Sequence, residues 1–426
     1  MIFARLAATA LFLSAFPRTA RAEASAIALK QCYQWALSRS ESLKIRGEDI
    51  EQSRQNARAA LGGAFPKLDW QFTDVWQDPK GVNKLASQGF SGFIEKEQPE
   101  SKFTLRQPLF SGLKEFSALS GFRKESARDE LRLRRAQREL FETTVRVFYG
   151  VLAPESERDN TRAALALAQD RVKELQGFLR LGKARQSEVF TAQARAAALK
   201  ASLRQTEARI GSAREELSFL TGQDLSASPL ADELDDRPAL GTAEEAIAHA
   251  QERADVKAQE EDVAAQEMRV RYEKGSYWPS LDLIGNYYTK RATFMREINW
   301  DVALALDVPL FNGGKTSANA ARAVSAYRQS VLALEELKRS ATYLIRRIYG
   351  EAASSIEEAR AQEEAAQAAQ KSYDSLREEY RLGLVTNIEV LEAMDQLLAQ
   401  RNARDEAKLR TKVLYCRLGV AAETLP

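Results

Sequence analysis

Four stretches of the chain alternate apolar and polar side chains with a period of two, which is typical of β-strands with one apolar face. In the clearest of them, every second residue from Ile298 to Val308 is apolar. The other three lie at about 68–76, 103–109 and 281–287. Runs of roughly 9–11 residues with aromatic ends suit strands that cross a membrane. A soluble antiparallel sheet with one hydrated face gives the same pattern, so both interpretations stay open here.

The four stretches pair into two predicted hairpins, and a long helical pattern follows each. The hairpins are expected at about 67–110 and about 280–311. Roughly seventy residues rich in Ala, Glu, Gln, Arg and Leu then lead to Arg-Leu-Gly sequences at 180–182 and 381–383. At a rise of about 1.5 Å per residue, each helix could reach about 100 Å. We expect Pro154 to kink the first one, because proline removes a backbone hydrogen bond.

A returning helix is predicted after each Arg-Leu-Gly sequence. In the first copy its apolar positions are spaced alternately three and four residues apart, the periodicity of a coiled coil. These positions are Val189, Ala192, Ala196, Leu199, Leu203, Thr206, Ile210, Ala213, Leu217 and Leu220. Shorter helices at about 28–61 and 242–274 are predicted to lead into the hairpins. The chain is thus expected to be mainly α-helical, with four β-strands.

The same landmarks occur twice in the same order, which indicates a tandem duplication. Three pairs of segments carry it: QPLFSG (107–112) and VPLFNG (308–313), RLGKARQSEV (180–189) and RLGLVTNIEV (381–390), FPKLDW (65–70) and WPSLDL (278–283). The first two pairs share one offset of 201 residues. We therefore predict a first repeat at 23–226, a linker at 227–240 and a second repeat at 241–426.

Each hairpin ends in Pro-Leu-Phe followed by a glycine, which suits a transition from strand to helix. The transition residues are Pro108 and Gly112 in the first copy, and Pro309 and Gly313 in the second. The second copy continues Gly-Lys-Thr and partly matches a phosphate-binding loop, which needs a glycine where Pro309 stands. Proline has no N–H to offer a phosphate, so a nucleotide site is not favoured.

The N-terminal residues 1–22 have the features of a secretory signal peptide. An early arginine precedes an apolar run from Leu6 to Phe16, and Ala20-Arg21-Ala22 fits a cleavage site. No later segment offers the roughly 18 uninterrupted apolar residues of a membrane helix. Export of the chain is therefore expected.

Charge and reactive side chains give no sign of nucleic acid binding or catalysis. Lys and Arg total 62 against 60 Asp and Glu, a formal net charge of +2, which offers no electrostatic basis for a nucleic acid partner. His249 is the one histidine, and a zinc site needs further ligands. We expect no enzyme activity and no cofactor. Cys32 and Cys416 could form a disulfide in an oxidising compartment, but buried free cysteines are equally common.

Four strands cannot close a membrane barrel, because a sheet without edges needs at least about eight. An open edge in lipid would leave backbone groups unpaired, at several kcal/mol each. If the strands span a membrane, the chain must therefore form an oligomer. Two copies would supply eight strands and three copies would supply twelve.

Taken together, these landmarks resemble the TolC-like outer-membrane efflux family, most closely in YRLGLVTNIEVLEAMDQL at 380–397. The resemblance covers nearly all of the mature chain. It implies a homotrimer with a 12-stranded barrel in outer-membrane lipid and a long α-helical barrel in the periplasm. It also implies two partners, a periplasmic adaptor and an inner-membrane transporter, for which the protein is a passive exit duct in efflux or type I secretion. The alternative is a periplasmic adaptor or coiled-coil scaffold, which should have one hairpin flanked by soluble β-domains.

The resemblance also assigns roles to particular residues. The Arg-Leu-Gly turns would be periplasmic tips that dock the adaptor, through Leu181, Gly182, Leu382 and Gly383. Both glycines also suit helix C-caps.

Acidic residues next to the tips match the family's entrance constriction. Glu389 and Glu392 would form rings of negative charge that favour cations, and Glu188 is the first-repeat counterpart of Glu389. Glu389 also fits a capping box with Thr386, and both roles stay open. Val385 stands where the family can have a basic gating residue, so salt-bridge gating does not carry over.

Overall fold

The computed structural model of the protein describes residues 26–90, 95–236 and 238–425. The predicted signal peptide, 1–22, lies outside these residues. The described chain is mainly helical, with a four-stranded antiparallel sheet and a short parallel pair of strands, which confirms the predicted fold class. Within the described ranges, no helix is both long enough and apolar enough to span a bilayer.

The elements follow the chain in two similar series. The strands are β1 (Ile27–Ala28), β2 (Lys67–Trp76), β3 (Glu97–Phe110), β4 (Leu230–Ala231), β5 (Ser280–Lys290) and β6 (Trp300–Asp307). The helices are α1 (Leu29–Arg39), α2 (Glu41–Gly62), α3 (Pro79–Leu85), α4 (Lys114–Arg180), α5 (Gln186–Thr221), α6 (Ala243–Ala248), α7 (Ala254–Gly275), α8 (Lys315–Arg381) and α9 (Asn387–Ala421).

Corresponding helices of the two series have nearly equal lengths. Both α4 and α8 have 67 residues, α2 and α7 have 22 each, and α5 and α9 have 36 and 35. The helix α4 is continuous through Pro154. The helices predicted at 28–61 and 242–274 are each divided. Ser40 divides the first because its hydroxyl accepts a hydrogen bond from the Leu43 N–H and caps α2.

The sheet has the order β2-β3-β5-β6, so β2 and β6 are its open edges. Pairing of β3 with β5 joins the two hairpins. One face is apolar and exposed, with Trp70, Phe103, Tyr287 and Leu304 among its residues. On the opposite face polar side chains bond across the strands, as in the 2.8 Å hydrogen bond from the Thr104 hydroxyl to Asn286.

The strand β6 ends earlier than predicted. Residues 308–311, expected to lie in the second hairpin, have no strand pairing, whereas Pro108 and Phe110 in β3 pair with β5. The reason is that β3 has a neighbour on each side and β6 has only one. An edge strand has no second ladder to hold its last residues in line.

The helices lie side by side and continue away from the sheet. Near the sheet the order of contacts is α2, α4, α7, α8, and farther away it is α5, α4, α9, α8. The largest apolar core lies where α1, α4, α5 and α9 meet, around Phe148, Val151 and Leu217. A second core near the far ends of the helices includes Leu199, Val390 and Leu397.

Both cysteines lie in the largest core as free thiols. The disulfide considered from the sequence is therefore absent between Cys32 and Cys416. Burial raises the pKa of Cys32 to about 11 and that of Cys416 to about 12. Both side chains thus stay protonated and behave as small apolar residues.

A buried lysine on α9 binds the segment that connects the two series of elements. The Lys412 ammonium lies 2.7 Å from Asp232 and 2.7 Å from Asp236. The Tyr149 hydroxyl donates to the same Asp232 over 2.9 Å. A buried ammonium needs such partners, so Lys412 fixes this segment against α9.

Candidate functional site

The far ends of α4 and α8 close with the same backbone motif. The Lys183 N–H donates to the Phe178 carbonyl over 2.8 Å, and the Leu384 N–H donates to the Glu379 carbonyl over 3.0 Å. Between these partners, Gly182 and Gly383 have φ of 72° and 78°. A left-handed residue at this position is usually glycine. The two glycines singled out from the sequence therefore end their helices and reverse the chain.

Leucines in and beside the two turns are exposed to solvent at this end of the molecule. Leu181 is 69% exposed and Leu382 is 75% exposed, and the nearby Leu384 is exposed to a similar extent. Phe190 and Ile388, on the following helices, are also exposed. Apolar side chains grouped at one end of a molecule are typical of a contact surface. We call Leu181, Leu382 and Leu384 the tip leucines.

Behind the tip leucines, a buried arginine connects three helices. Arg171 of α4 lies with its guanidinium carbon 3.8 Å from the ring centre of Tyr380 on α8. Its Nε donates to the Asn387 side-chain oxygen at the start of α9 over 3.0 Å. Its Nη1 donates to Glu174 over 2.9 Å. Arg171 therefore fixes the second helical hairpin against the first.

Glu174 receives a second arginine and links α4 to α8 again. Arg381 Nε donates to Glu174 over 2.9 Å. Burial works to raise the pKa of Glu174, but the hydrogen bonds from Arg381 and Arg171 outweigh it and hold this pKa below its ordinary value. Sequence reasoning missed both Arg171 and Glu174. The available signal was a charged residue at an apolar seam position, because Ala164, Ala168, Arg171 and Leu175 are buried at spacings of four, three and four.

Glu188 lies at the start of α5, in contact with α8. Its carboxylate accepts the Tyr380 hydroxyl over 3.3 Å and the Arg185 N–H over 3.1 Å. Tyr380 therefore contacts two residues of the first helical hairpin, α4 and α5. Its ring lies on Arg171 and its hydroxyl contacts Glu188.

Glu389 forms the capping box considered from the sequence. Its carboxylate accepts the Thr386 N–H over 2.6 Å, and the Glu389 N–H donates to the Thr386 hydroxyl over 3.5 Å. The Thr386 backbone N–H and hydroxyl lower the pKa of Glu389. Its side chain and that of Glu392 are exposed, whereas Val385 packs against the second core. An exposed ionised Glu389 can serve the cap and a charged ring at once.

The two transitions from strand to helix share one backbone conformation. Gly112 and Leu113 have φ of 71° and 58°, and Gly313 and Gly314 have φ of 66° and 82°. Two successive left-handed residues turn the chain so that α4 and α8 begin at the next position. Pro108 lies in β3, and Pro309 lies beyond the end of β6. Gly313 and Gly314 thus open a helix in the way that Gly112 and Leu113 do.

Comparison with known proteins finds a family match over part of the chain and two relatives over nearly all of it. Residues 248–418 match the family model described as outer membrane efflux protein. The chain is 24% identical to alkaline protease secretion protein AprF of Pseudomonas aeruginosa, over 96% of this chain and 87% of that protein. It is 22% identical to proteases secretion protein PrtF of Dickeya chrysanthemi, over 94% and 89% of the two chains.

Solved structures share the fold. A crystal structure of CusC superposes with a TM-score of 0.81 at 16% identity, covering 92% of this chain and 91% of that one. The outer membrane protein VceC of Vibrio cholerae gives 0.77 at 19% identity, covering 92% and 95%. At these identities the likeness shows the fold alone. The chain therefore shares the fold of these outer-membrane proteins, and its residues 248–418 match the outer membrane efflux protein family.

Proposed function

We propose that three copies of this chain form an outer-membrane duct that passively conducts substrates outward. The observation that carries this proposal is the open sheet, with unpaired edges at β2 and β6 and an apolar exposed face. Such a sheet is stable in lipid only when its edges are paired, because each unpaired backbone group there costs several kcal/mol. Three copies provide twelve strands, and the helices attached to them continue the wall into the periplasm.

The repeats that build this duct are residues 23–226 and 241–426, joined by the linker 227–240, with residues 1–22 removed on export. Matching helix lengths in the two series support this division. A periplasmic adaptor is disfavoured as the alternative, since two hairpins share one sheet and no separate soluble β-domain occurs in residues 26–90, 95–236 and 238–425.

The partners we propose are a periplasmic adaptor and an inner-membrane transporter of a type I secretion system. AprF and PrtF are named for the secretion of proteases, which favours an exported protein over a small drug as substrate. The tip leucines, at the end opposite to the sheet, are the proposed docking surface. Their exposure supports this role because the adaptor would remove them from water.

The duct is tested by purifying the protein from outer membranes in detergent. We expect the mass of three chains, and stepwise ion conductance after reconstitution into planar bilayers. A monodisperse monomer that stays in the soluble periplasmic fraction would exclude the proposal.

Docking is tested by substituting Leu181 and Leu382 with Glu. Burying a leucine stabilises a contact by about 1.5–3 kcal/mol, so each substitution should weaken adaptor capture at least about tenfold. Phe219 on α5 is also an exposed apolar residue, at 87%, but it is distant from the tips, and Phe219→Glu is the matched control. Equal adaptor capture by all three variants would contradict docking at the tips.

A further inference from the structure

Two glycine backbones meet where the first hairpin joins its long helix. A Cβ added to Gly112 would lie 2.1 Å from the Gly275 carbonyl oxygen, and one added to Gly275 would lie 2.6 Å from the Gly112 carbonyl oxygen. No side chain fits at either position. At the transition from β3 to α4, the backbone therefore packs directly against the backbone at the end of α7.

The repeated sequence contains a second pair of glycines at the same two places. Gly313 corresponds to Gly112 in the segments VPLFNG and QPLFSG. Gly62 corresponds to Gly275, since each ends a 22-residue helix and stands three residues before FPKLDW or WPSLDL. Yet a Cβ on Gly62 or Gly313 would meet no atom within 4 Å. The second pair of glycines is therefore present in the sequence, but Gly62 and Gly313 do not pack against each other within one chain.

The surroundings of the second transition are also uncovered. Leu310 and Phe311 are 91% and 88% exposed, whereas their counterparts Leu109 and Phe110 are 52% and 37% exposed. The strand β6 also ends before Val308, for want of a second neighbour. In the first copy, β5 and α7 cover the transition. The greater exposure of Leu310 and Phe311 and the early end of β6 are both expected if the second transition has no equivalent partner.

We infer that this missing partner is a second copy of the chain, whose β2 and α2 repeat the contact made within the chain by β5 and α7. Gly313 of one copy then packs against Gly62 of the next, and α8 lies along the neighbour's α2. The inference rests on the proposed trimer and goes beyond it by fixing which backbones meet. Such a contact joins two different surfaces, and in the proposed trimer the rotation between successive copies closes them into a ring.

The register between copies follows from the register within one. In the chain, Thr104 pairs with Asn286, and Leu105 pairs with Gly285. Carried to the corresponding positions, these pairs place Ala305 opposite Thr73, and Leu306 opposite Phe72, of the next copy. Leu306 and Phe72 both belong to the exposed apolar face. The faces match in this register, and a slip of one residue would reverse them.

Cysteine cross-linking of the full-length protein in outer membranes tests the register. Thr73→Cys combined with Ala305→Cys should give disulfide-linked dimers and trimers on oxidation. The matched control, Asp69→Cys with Ala305→Cys, keeps the same face but moves one thiol four residues along β2. In this control the Cα atoms of the two cysteines would be separated by well over the roughly 7 Å limit for a disulfide. We therefore expect no more cross-linking than in single-cysteine variants.

The possible outcomes distinguish this inference from the proposed trimer. A trimer mass with no linking of the matched pair, or equal linking of both pairs, would overturn the register while leaving the trimer intact. A monomer mass would overturn both.

A second variant tests the glycine contact itself. Gly62→Leu should leave the fold of one chain unchanged, because nothing surrounds this position, yet raise the concentration needed for assembly at least about tenfold. Gly150→Leu, on α4 with equally open surroundings, is its control. Assembly of Gly62→Leu at the wild-type concentration would exclude the contact.

Discussion

Arg171 and Tyr380 are stacked at 3.8 Å near the tips, although they lie on different helical hairpins. We predict that Arg171→Ala loosens the tips, because hydrogen bonds to charged groups contribute about 1.5–3 kcal/mol each to the free energy of unfolding. Hydrogen exchange of amides 378–389 should accelerate at least about tenfold, while exchange in the sheet stays unchanged. Arg204→Ala is the control, since Arg204 forms an exposed pair with Glu207 on α5 worth about 0.5 kcal/mol or less. Equal exchange in both variants would show that Arg171 does not fix the tips.

Acid should loosen the same region. Because the pKa of Glu174 is lower in the folded protein than in the unfolded chain, its stabilising contribution is present above the unfolded pKa, about 4.3. The contribution is lost as the pH falls through the lower, folded pKa. Exchange of amides 378–389 should therefore rise below about pH 4, after correction for the intrinsic pH dependence. In Glu174→Gln this additional rise should be missing.

The charge of Glu389 can be separated from its capping role. Glu389→Gln keeps a side chain that suits the third helical position of a capping box but removes the negative charge. If Glu389 and Glu392 form rings at the entrance, Glu389→Gln with Glu392→Gln should lower the cation-to-anion permeability ratio in planar bilayers. Glu188→Gln tests the third acidic candidate. Unchanged selectivity in both the double variant and Glu188→Gln would exclude acidic rings at the entrance.

The two faces of β6 should respond differently to a charge. Leu304→Arg places a cation on the apolar exposed face, at a cost of about 2–4 kcal/mol if this position lies near the middle of the bilayer. Ala303→Arg places the same cation on the opposite face. Heat-stable trimers in outer membranes should become scarce for Leu304→Arg and remain for Ala303→Arg. The reverse result would mean that the lipid-facing side has been assigned wrongly.

Both cysteines should resist thiol reagents in the native protein. Burial raises the pKa values of Cys32 and Cys416, so very little thiolate is present at pH 8. We expect two reactive thiols per chain after denaturation without reductant, and almost none before it. A disulfide would leave no reactive thiol in the denatured, unreduced protein.

The sequence predicted the features that depend on local periodicity. Alternation identified the strands, for example at Leu304, and the spacing from Val189 to Leu217 identified a helical seam. Features that depend on distant neighbours were not predictable in this way. Arg171 meets Asn387 only because two hairpins pack together, and β6 is short because its second neighbour is absent from the chain. Ser40 divided a predicted helix because a side chain competed locally for backbone hydrogen bonds.

If three copies form the proposed barrel, the unpaired edges at β2 and β6 also determine the order of its biogenesis. A solitary subunit cannot enter lipid with both edges open, so subunits must associate before or during insertion. The yield of inserted protein should then depend steeply on how many newly exported subunits are present at once. In the proposed trimer, a defective subunit with one intact edge would join wild-type subunits and prevent ring closure, so we expect its mutation to be dominant over the wild-type gene.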